Sequence, residues 1–552
     1  MKKALILSAI IILGLAAFQK AFAEGGYVLN MYHFNLQYVA GSEKAERAGV
    51  EKGLEPLLDI YLAHPGWKAD FEMQAEFISY MAQNYPKVLE KVRKLAKNGQ
   101  AEMVSFHYSD QLILGFPALD EERSLQLTRE VFEKNDIPLS GVIFTQEAQF
   151  GEGVCKLGKK WGYKTAVMTP GAYNWFQKDP GYPYFSCRGL EVLKAENPDI
   201  KPEKMVEYSE GGVKAKWYFL GDGELVVTGG ISPYFAGLFR PNQGHIKKME
   251  LDFKAYQDKG YKIATVGEYV EALHKANIQP RPLKPILDAP WRPEDDHGVF
   301  IWMGKYASPK ENDYGIRTEN YQVRALLLAA EKAGFKWDQL REIWKNQLDA
   351  EVTDSTGWLP FEVEIKYSPI KSKMVVDAVN KLCPSCKAEE MKFDYEPVAA
   401  KDFPTSPKIV GASKKDLKLL KVKGKDNLWA VEASFTATRD SKLAFPFTGS
   451  AIKYSPAMIE DEVVTIPLDQ IKHRLHYVGL PNGLIALDDG LWIIRDDRAG
   501  MVACGIDPVN KEIHFRVSGY TAGRKFFFRV FVFKGSEKDA LKFANDLNQT
   551  GD

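Results

Sequence analysis

The sequence predicts an α/β fold: a β/α barrel, followed by a helical region and a C-terminal β-sandwich-like domain. Three observations lead to this prediction. Short apolar segments alternate with helical patterns between residues 27 and 265, a long helical pattern covers 319–348, and short alternating strands with Gly, Asn and Asp turns begin near residue 405. We therefore expect a barrel over 24–290, a helical domain over 291–400 and a β domain over 401–552.

The elements of the predicted barrel are short strands bounded by polar residues and separated by amphipathic helices. Strands are predicted at 27–33, 68–73, 101–106, 141–145, 163–168 and 261–265, and helices at 75–97, 121–134 and 152–161. This alternation is typical of βαβ units and a parallel sheet. The segment "WYFLGDGELVVTG" differs, because its Asp222-Gly223 pair predicts a hairpin inserted into the barrel. A helix over 537–548 closes the chain.

The first 23 residues have the pattern of a secretory signal. Lys2 and Lys3 precede an apolar run over 4–17, and Ala21-Phe22-Ala23 gives a small-x-small cleavage site. A membrane anchor is the competing interpretation, but the run is shorter than the roughly 20 residues that a span needs. We expect export to the periplasm or the extracellular space, with no stable membrane insertion after the signal is removed.

The composition argues against nucleic acid as a partner. Lys plus Arg and Asp plus Glu are equal at 73 each, so the chain carries no net basic field. Five cysteines are few for an exported protein of 552 residues. Cys383 and Cys386 form a lone CxxC, for which a local disulfide is the simplest explanation and a metal or redox site the alternative. We expect no cofactor and no metal.

Polar side chains occur where four successive predicted strands end. They are His33 and Asn35, Glu72 and Glu76, His107, and Gln146 with Glu147. In β/α barrels the C-terminal strand ends and the loops that follow them form the active site. The sequence therefore predicts a polar pocket on this rim.

Three segments on these strands resemble glycoside hydrolase family 57, which is related to the family 38 mannosidase-like barrels. They are "YHFNLQY" (32–38), "NGQAEMVSFHYSDQLILGFP" (98–117) and "GVIFTQEAQF" (141–150). The resemblance implies a seven-stranded (β/α)7 barrel followed by a helical region. It also implies retaining hydrolysis or transfer on α-glucan or a related oligosaccharide, with Glu147 as the nucleophile. It also implies carbohydrate as the partner and adds Gln37 and Gln149 to the residues expected near the substrate.

The general acid is harder to assign, because a retaining enzyme needs two carboxyl groups about 5–5.5 Å apart. Asn35 replaces the family's second histidine, and the loop 239–245, where the acid is expected, has His245 but no carboxylate. Asp222 lies in the single Asp-Gly-Glu that matches the family's fourth motif, but its turn has a structural explanation. The segment "EVTDSTGW", which contains Asp354, resembles an Asp-containing loop of mannosidase-like and family 57 enzymes that extends from the helical region to the barrel mouth.

Two acidic residues near tryptophan complete the set of expected sugar contacts. Asp295 and Asp296 follow Trp291, and aromatic faces with nearby carboxylates suit a sugar site. As candidates for the general acid, Asp295 and Asp296 rank third, after Asp222 and Asp354. We expect Trp291, Asp296 and His245 to contact substrate.

Two other functions remain open at this point. A carbohydrate-binding relative without the acid would explain the degenerate fourth motif. A metal-dependent polysaccharide deacetylase would use His33, His107 and His245 as ligands, although the chain lacks the paired aspartates that such enzymes carry at the end of the first strand.

Overall fold

The computed structural model describes residues 25–35, 42–175, 177, 182–195, 208–223, 243–291, 298–303, 313–357, 362–472, 474–488, 490–517 and 522–550. The predicted signal sequence, Gln37, Asp295 and Asp296 lie outside these ranges. None of the described helices has the length and apolar character needed to cross a membrane.

The predicted α/β fold class is confirmed, and two sheets of mainly parallel strands form the first part of the chain. These strands are β1 (Tyr27–Phe34), β2 (Ala69–Met73), β3 (Ala101–Val104), β4 (Val142–Ile143), β5 (Thr165–Met168), β6 (Tyr184–Cys187), β7 (Leu190–Lys194), β8 (Tyr208–Glu210), β9 (Val213–Asp222), β10 (Lys262–Ala264) and β11 (Arg281–Pro282). One sheet has the order β3-β2-β1-β9-β8 with β10 also on β1, and the other has the order β11-β6-β7-β5-β4. A parallel bridge between Met103 and Leu139 links the two.

Helices cover these strands, as the amphipathic patterns predict. They are α1 (Glu43–Gly49), α2 (Glu55–Ala63), α3 (Ala75–Asn84), α4 (Pro86–Lys97), α5 (Ala118–Lys134), α6 (Glu152–Lys160), α7 (Pro170–Asn174), α8 (Gln243–Asp258) and α9 (Val266–Lys275). The pattern predicted over 75–97 is two helices, because Pro86 starts a new one after Tyr85. Strand β2 is buried along its whole length, as expected for a parallel strand covered on both faces.

The prediction that the segment around Asp222-Gly223 is an insertion into the barrel is wrong, and the second strand of the predicted hairpin lies outside the described residues. Strand β9 runs parallel to β1 and pairs with it from Tyr27 to His33, so it belongs to the parallel sheet. Its antiparallel partner is β8, which precedes it in the chain. An Asp-Gly pair can end an inserted strand or a barrel strand alike, so the sequence signal does not separate the two cases. Asp222 therefore ends a barrel strand.

Three long helices form the helical region: α10 (Asp313–Lys332), α11 (Trp337–Ala350) and α12 (Glu362–Leu382). They share one apolar core with the barrel helices, in which Leu327 and Trp344 join Leu127 and Phe132. A short helical turn, Thr353–Ser355, follows α11 and lies beside the barrel mouth.

The C-terminal part is antiparallel, as predicted. Its elements are β12 (Tyr395–Pro397), β13 (Lys408–Val422), β14 (Leu428–Pro446), β15 (Ala451–Tyr454), β16 (Val464–Pro467), β17 (His476–Val478), β18 (Leu484–Asp488), β19 (Leu491–Arg495), α13 (Asp497–Gly500), β20 (Ala503–Asp507), β21 (Glu512–Arg516), β22 (Lys525–Lys534) and α14 (Glu537–Asn548). Eleven of the described strands make one sheet, in which the 19-residue strand β14 pairs with β13, β21 and β22.

The barrel and the β domain meet at a buried carboxyl group. Asp288 is 1% exposed, its backbone N–H donates to the Tyr454 hydroxyl at 3.0 Å, and its Oδ2 accepts from the Ala457 N–H at 2.7 Å. Gly151 and Gly153 allow the close approach, since a Cβ would lie 2.0 Å from Asp288 Oδ1 at the first and 1.7 Å from the Ala457 carbonyl oxygen at the second. The interface therefore excludes any larger side chain at these two positions.

Two disulfides are present. The Cys383–Cys386 pair confirms the local disulfide predicted from the CxxC spacing. A second bond, which the sequence pattern did not reveal, joins Cys155 to Cys187 across 32 residues. Cys504 is buried and unpaired.

Candidate active site

Three neighbouring strand ends bring a histidine and two carboxyl groups side by side. His33 near the end of β1 is paired in register with Glu72 on β2 and with Asp222 on β9. The His33 Nδ1 and the Glu72 Oε2 are hydrogen-bonded. Because Nδ1 is engaged, the orientation of the His33 ring is fixed by Glu72, and Nε2 is left without a partner among the described residues.

Glu147 follows the two-residue strand β4 in a tight turn over Gln146–Ala148. Both Glu147 (φ 51°) and Ala148 (φ 45°) are left-handed, a conformation that costs a non-glycine residue roughly 1–3 kcal/mol. The Trp291 N–H donates to the Glu147 carbonyl oxygen at 2.9 Å, and the Gln146 N–H donates to the His107 Nε2 at 2.8 Å. Surrounding contacts therefore hold the turn in a conformation that the local sequence would not select.

Asp354 reaches the barrel mouth on the helical turn that follows α11. The Thr353 N–H donates to the Asp110 carbonyl oxygen at 2.7 Å, and a β-bridge joins Gln111 to Val352. The fully buried Arg317 guanidinium donates to the Val352 carbonyl oxygen at 2.8 Å. The loop that carries Asp354 is thus fastened both to the barrel and to the helical region.

These three carboxyl groups influence one another electrostatically. Burial, then the charges of Asp354 and Asp222, raise the pKa of Glu147 well above its usual value, while His33 and a hydrogen bond from Trp291 act in the opposite direction. Glu147 is nevertheless partly exposed to solvent. Mutual repulsion disfavours the state in which all three carboxyl groups are ionised.

The two potential partners of Glu147 have raised pKa values as well. Burial raises the pKa of Asp222, and the His33 charge opposes this. Burial raises the pKa of Asp354 well above its usual value, with repulsion from Glu364, Asp110 and Asp222 adding to the effect. A raised pKa favours the protonated form of each group, which is the form that an acid catalyst requires.

The two histidines differ in charge. Burial disfavours the His33 imidazolium, but Glu72, Asp110 and Asp222 outweigh it and raise the pKa of His33 well above its usual value. Burial lowers the pKa of His107 to about 4. His33 is therefore the positive charge among the carboxyl groups, and His107 is neutral.

The other residues predicted to bind substrate are placed differently. Asn35 is buried just after β1, and Trp291 is half-buried beside Glu147. Gln149 is fully buried and its amide is used by the main chain, since Nε2 donates to the Gln111 carbonyl oxygen at 2.8 Å and Oε1 accepts from the Leu114 N–H at 3.1 Å.

Two further predicted residues lie apart from the carboxyl cluster. Glu76 accepts from the Tyr367 hydroxyl at 2.9 Å, in a separate group with Asp349 and Lys371. His245 lies in the first turn of α8, and no described contact joins it to Glu147, Asp222 or Asp354.

Two site residues, Asp110 and Gln74, were not predicted from the sequence. Asp110 is buried, accepts a hydrogen bond from the Gln74 side chain and affects the pKa values of both His33 and Asp354. Its position three residues after His107, in a segment already recognised as motif-like, was the available signal.

No group of three or more His, Cys, Asp or Glu within the described ranges has a geometry suited to holding a metal ion. Of the histidines proposed as ligands, His107 has its Nε2 occupied by the Gln146 N–H, His33 keeps an Nε2 without a partner among the described residues, and no described contact brings His245 to either of them.

Comparison with known proteins gives the fold a class. No protein-family model and no curated protein sequence matches the chain. The structure is similar to an alpha-mannosidase from Enterococcus faecalis V583, with a TM-score of 0.61 at 9% identity over 96% of this chain and 89% of that one. It is also similar to a family 38 glycosyl hydrolase protein from Enterococcus faecalis, with a TM-score of 0.56 at 8% identity over 96% and 88%.

A GH57-type branching enzyme from Pyrococcus horikoshii is a fainter match, with a TM-score of 0.43 at 12% identity over 64% of this chain and 88% of that one. The two Enterococcus faecalis structures confirm, at the level of the fold, the resemblance to the family 38 mannosidase-like barrels. Proteins of this fold include glycoside hydrolases, but at 8–9% identity the likeness shows the fold alone.

Proposed function

We propose that this chain is an exported carbohydrate-active enzyme that cleaves or transfers α-glycosidic bonds of an α-glucan or a related oligosaccharide with retention of configuration. The observation that supports the proposal is that Asp222 ends a barrel strand, Glu147 lies in the turn after another, and the two are near enough for the charge of Asp222 to raise the pKa of Glu147. A retaining mechanism requires two carboxyl groups at the scissile bond, one as the nucleophile and one as the acid/base.

Glu147 is the nucleophile in this mechanism. Its carboxylate attacks the anomeric carbon as the bond to the leaving oxygen breaks, and the leaving oxygen takes the proton of Asp222. Water then attacks the glycosyl-enzyme ester while Asp222 takes back a proton, and a sugar hydroxyl in place of water gives transfer. The His33 charge favours the ionised form of Glu147, which the first step requires.

Asp222 is preferred over Asp354 as the acid/base because of where each group is anchored. Asp222 belongs to the parallel sheet and lies in register with His33, whereas Asp354 stands on a loop against Asp110. The resemblance to the fourth family motif supports the same assignment. Asp354 is left to bind sugar hydroxyls and to set the pKa of Glu147.

The alternative is a carbohydrate-binding relative that lacks the acid. The assignment of the acid to Asp222, which ends β9, is the point on which the two hypotheses differ. Turnover of any glycoside above background by the purified protein rejects this alternative directly.

Azide rescue separates the nucleophile from the acid/base. Asp222→Ala should hydrolyse aryl glycosides that need no acid help, and added azide should accelerate it by intercepting the glycosyl-enzyme. Glu147→Gln should lose turnover on every substrate and gain nothing from azide. Rescue of Asp354→Ala instead of Asp222→Ala would reverse the two aspartate roles, and full activity of Glu147→Gln would reject the mechanism.

Export is the remaining part of the proposal. The secretory pattern of residues 1–23 and the disulfide between Cys155 and Cys187 both favour an oxidising compartment. Mass spectrometry of the protein from a periplasmic or culture fraction should give a mature chain that starts near Glu24. A full-length chain retained with the cytoplasmic fraction contradicts this.

A further inference from the structure

The turn that carries Glu147 is strained, so something must hold it. Two consecutive non-glycine residues, Glu147 and Ala148, are left-handed. On the C-terminal side, the Gln149 side chain donates to the Gln146 carbonyl oxygen at 3.0 Å and to the Gln111 carbonyl oxygen at 2.8 Å. These bonds hold the C-terminal end of the turn. The Gln146 N–H, at the N-terminal end, is bonded to a different acceptor.

That acceptor is His107. The Gln146 N–H, one residue before Glu147, donates to His107 Nε2 at 2.8 Å, and the His107 side chain is fully buried. A nitrogen that accepts this bond carries no proton, so the imidazole is the neutral form with its hydrogen on Nδ1. The groups that face the ring are Glu72, whose Oε1 lies 3.7 Å from Nε2, His33 on β1, and Asp110 on the same loop.

We propose that His107 is a positioning residue for Glu147: its unprotonated Nε2 holds the Gln146 amide and thereby fixes the left-handed turn that presents the Glu147 carboxyl group to the cleft. Protonation of His107 removes the acceptor and sets a second N–H against the Gln146 N–H. Burial keeps the pKa of His107 at about 4, so the acceptor is available at neutral pH and is lost only in acid.

Crystal structures of three proteins at pH 7 test the proposal without any assay of activity. The wild type and His107→Gln should keep Glu147 in the left-handed region, because the Gln amide oxygen replaces the acceptor. In His107→Leu, which has no acceptor, the Glu147 peptide should leave that region. Tyr163→Phe is the matched control, since it removes another buried hydrogen bond, to the Ser105 carbonyl oxygen at 2.7 Å, away from the turn.

An unchanged turn in His107→Leu overturns the proposal. If His107→Leu does not fold, the comparison moves to the wild type and His107→Gln at pH 7 and pH 3.5. The wild-type turn should change at pH 3.5 while the turn of His107→Gln stays, because the two proteins share every other titrating group. Identical behaviour of the two proteins overturns the proposal.

The kinetic consequence rests on the proposed function. Displacement of a nucleophile by about 1 Å costs about 100-fold in rate, so His107→Leu should lose about that factor in kcat with little change in KM, and His107→Gln should recover most of it. An unchanged kcat in His107→Leu contradicts the inference. A wild type without glycoside turnover would reject the proposed function, and the crystallographic comparison would still decide the role of His107.

Discussion

Replacement of Asp288 by Asn should remove a large part of the pH dependence of stability. Asp288 is buried where the barrel meets the β domain, and burial raises its pKa from 3.8 to about 8, with hydrogen bonds from the Ala457 N–H and Tyr454 opposing the shift. Its Oδ1 has no partner among the described residues. Asn has the shape of the protonated acid and keeps an oxygen for the Ala457 N–H, so the folded interface should change little.

Whether the free energy of unfolding rises or falls with pH depends on whether the folded or the unfolded chain holds the Asp288 proton. Unfolded aspartic acid loses its proton near pH 4, whereas folded Asp288 keeps its proton up to about pH 8. Between these values the folded chain binds the extra proton, so the free energy of unfolding falls as pH rises and levels off above pH 8. At about 1.4 kcal/mol per pH unit, the loss between pH 5 and pH 8 is roughly 3–4 kcal/mol.

Denaturant unfolding at pH 5, 6.5 and 8 measures this effect as a difference between Asp288→Asn and the wild type. The variant should gain stability relative to the wild type as pH rises, by roughly 3–4 kcal/mol over the range. Other buried acids, such as Glu460 with a pKa of about 7, titrate in both proteins and cancel in the difference. Parallel stability curves would refute the reasoning, because they would mean that Asp288 is ionised in the folded protein.

Three further outcomes follow from the structure. Asp354→Asn removes the largest charge that repels ionised Glu147, so the acid limb of the kcat/KM profile should move to lower pH; an unmoved limb contradicts the electrostatic coupling. Loss of the disulfide in Cys155→Ala/Cys187→Ala opens a 32-residue loop and should cost about 3–4 kcal/mol in thermal unfolding, whereas loss of the second disulfide, with a separation of 3, should cost much less. Gly153→Ala sets a Cβ against the main chain of the β domain and should destabilise the fold by roughly 1–3 kcal/mol or more, and a normal melting temperature would argue against the close approach.

The barrel strands were predictable because their burial follows from sequence. Segments such as Ala69–Met73 are buried throughout, and each is followed by polar residues at the strand end. Since parallel strands carry their C-terminal ends to one edge, the sequence alone was enough to place His33 and Glu72 together. The local pattern contains all the information that this placement needs.

Long-range and turn features were not predictable in the same way. The pattern that ends in Asp222-Gly223 is compatible with both an inserted strand and a barrel strand, and only the pairing of β9 with β1 separates them. The contact between Asp110 and the loop of Asp354 joins residues far apart in the chain, and no periodicity encodes it. The sequence suggests that Gln149 is an available polar group, although its amide is bonded to the main chain of Gln111 and Leu114.

Because Asp354 lies on the helical region, the carboxyl cluster of Glu147, Asp222 and Asp354 forms only after that region has been synthesised. During synthesis, Glu147 and Asp222 leave the ribosome first, and the loop that carries Asp354 follows only after α10 and α11 have been made. The barrel alone holds two of the three interacting carboxyl groups, and the third arrives when the loop docks on Asp110 and Gln111. The cluster is thus the product of late assembly, and a nascent or truncated chain lacks it.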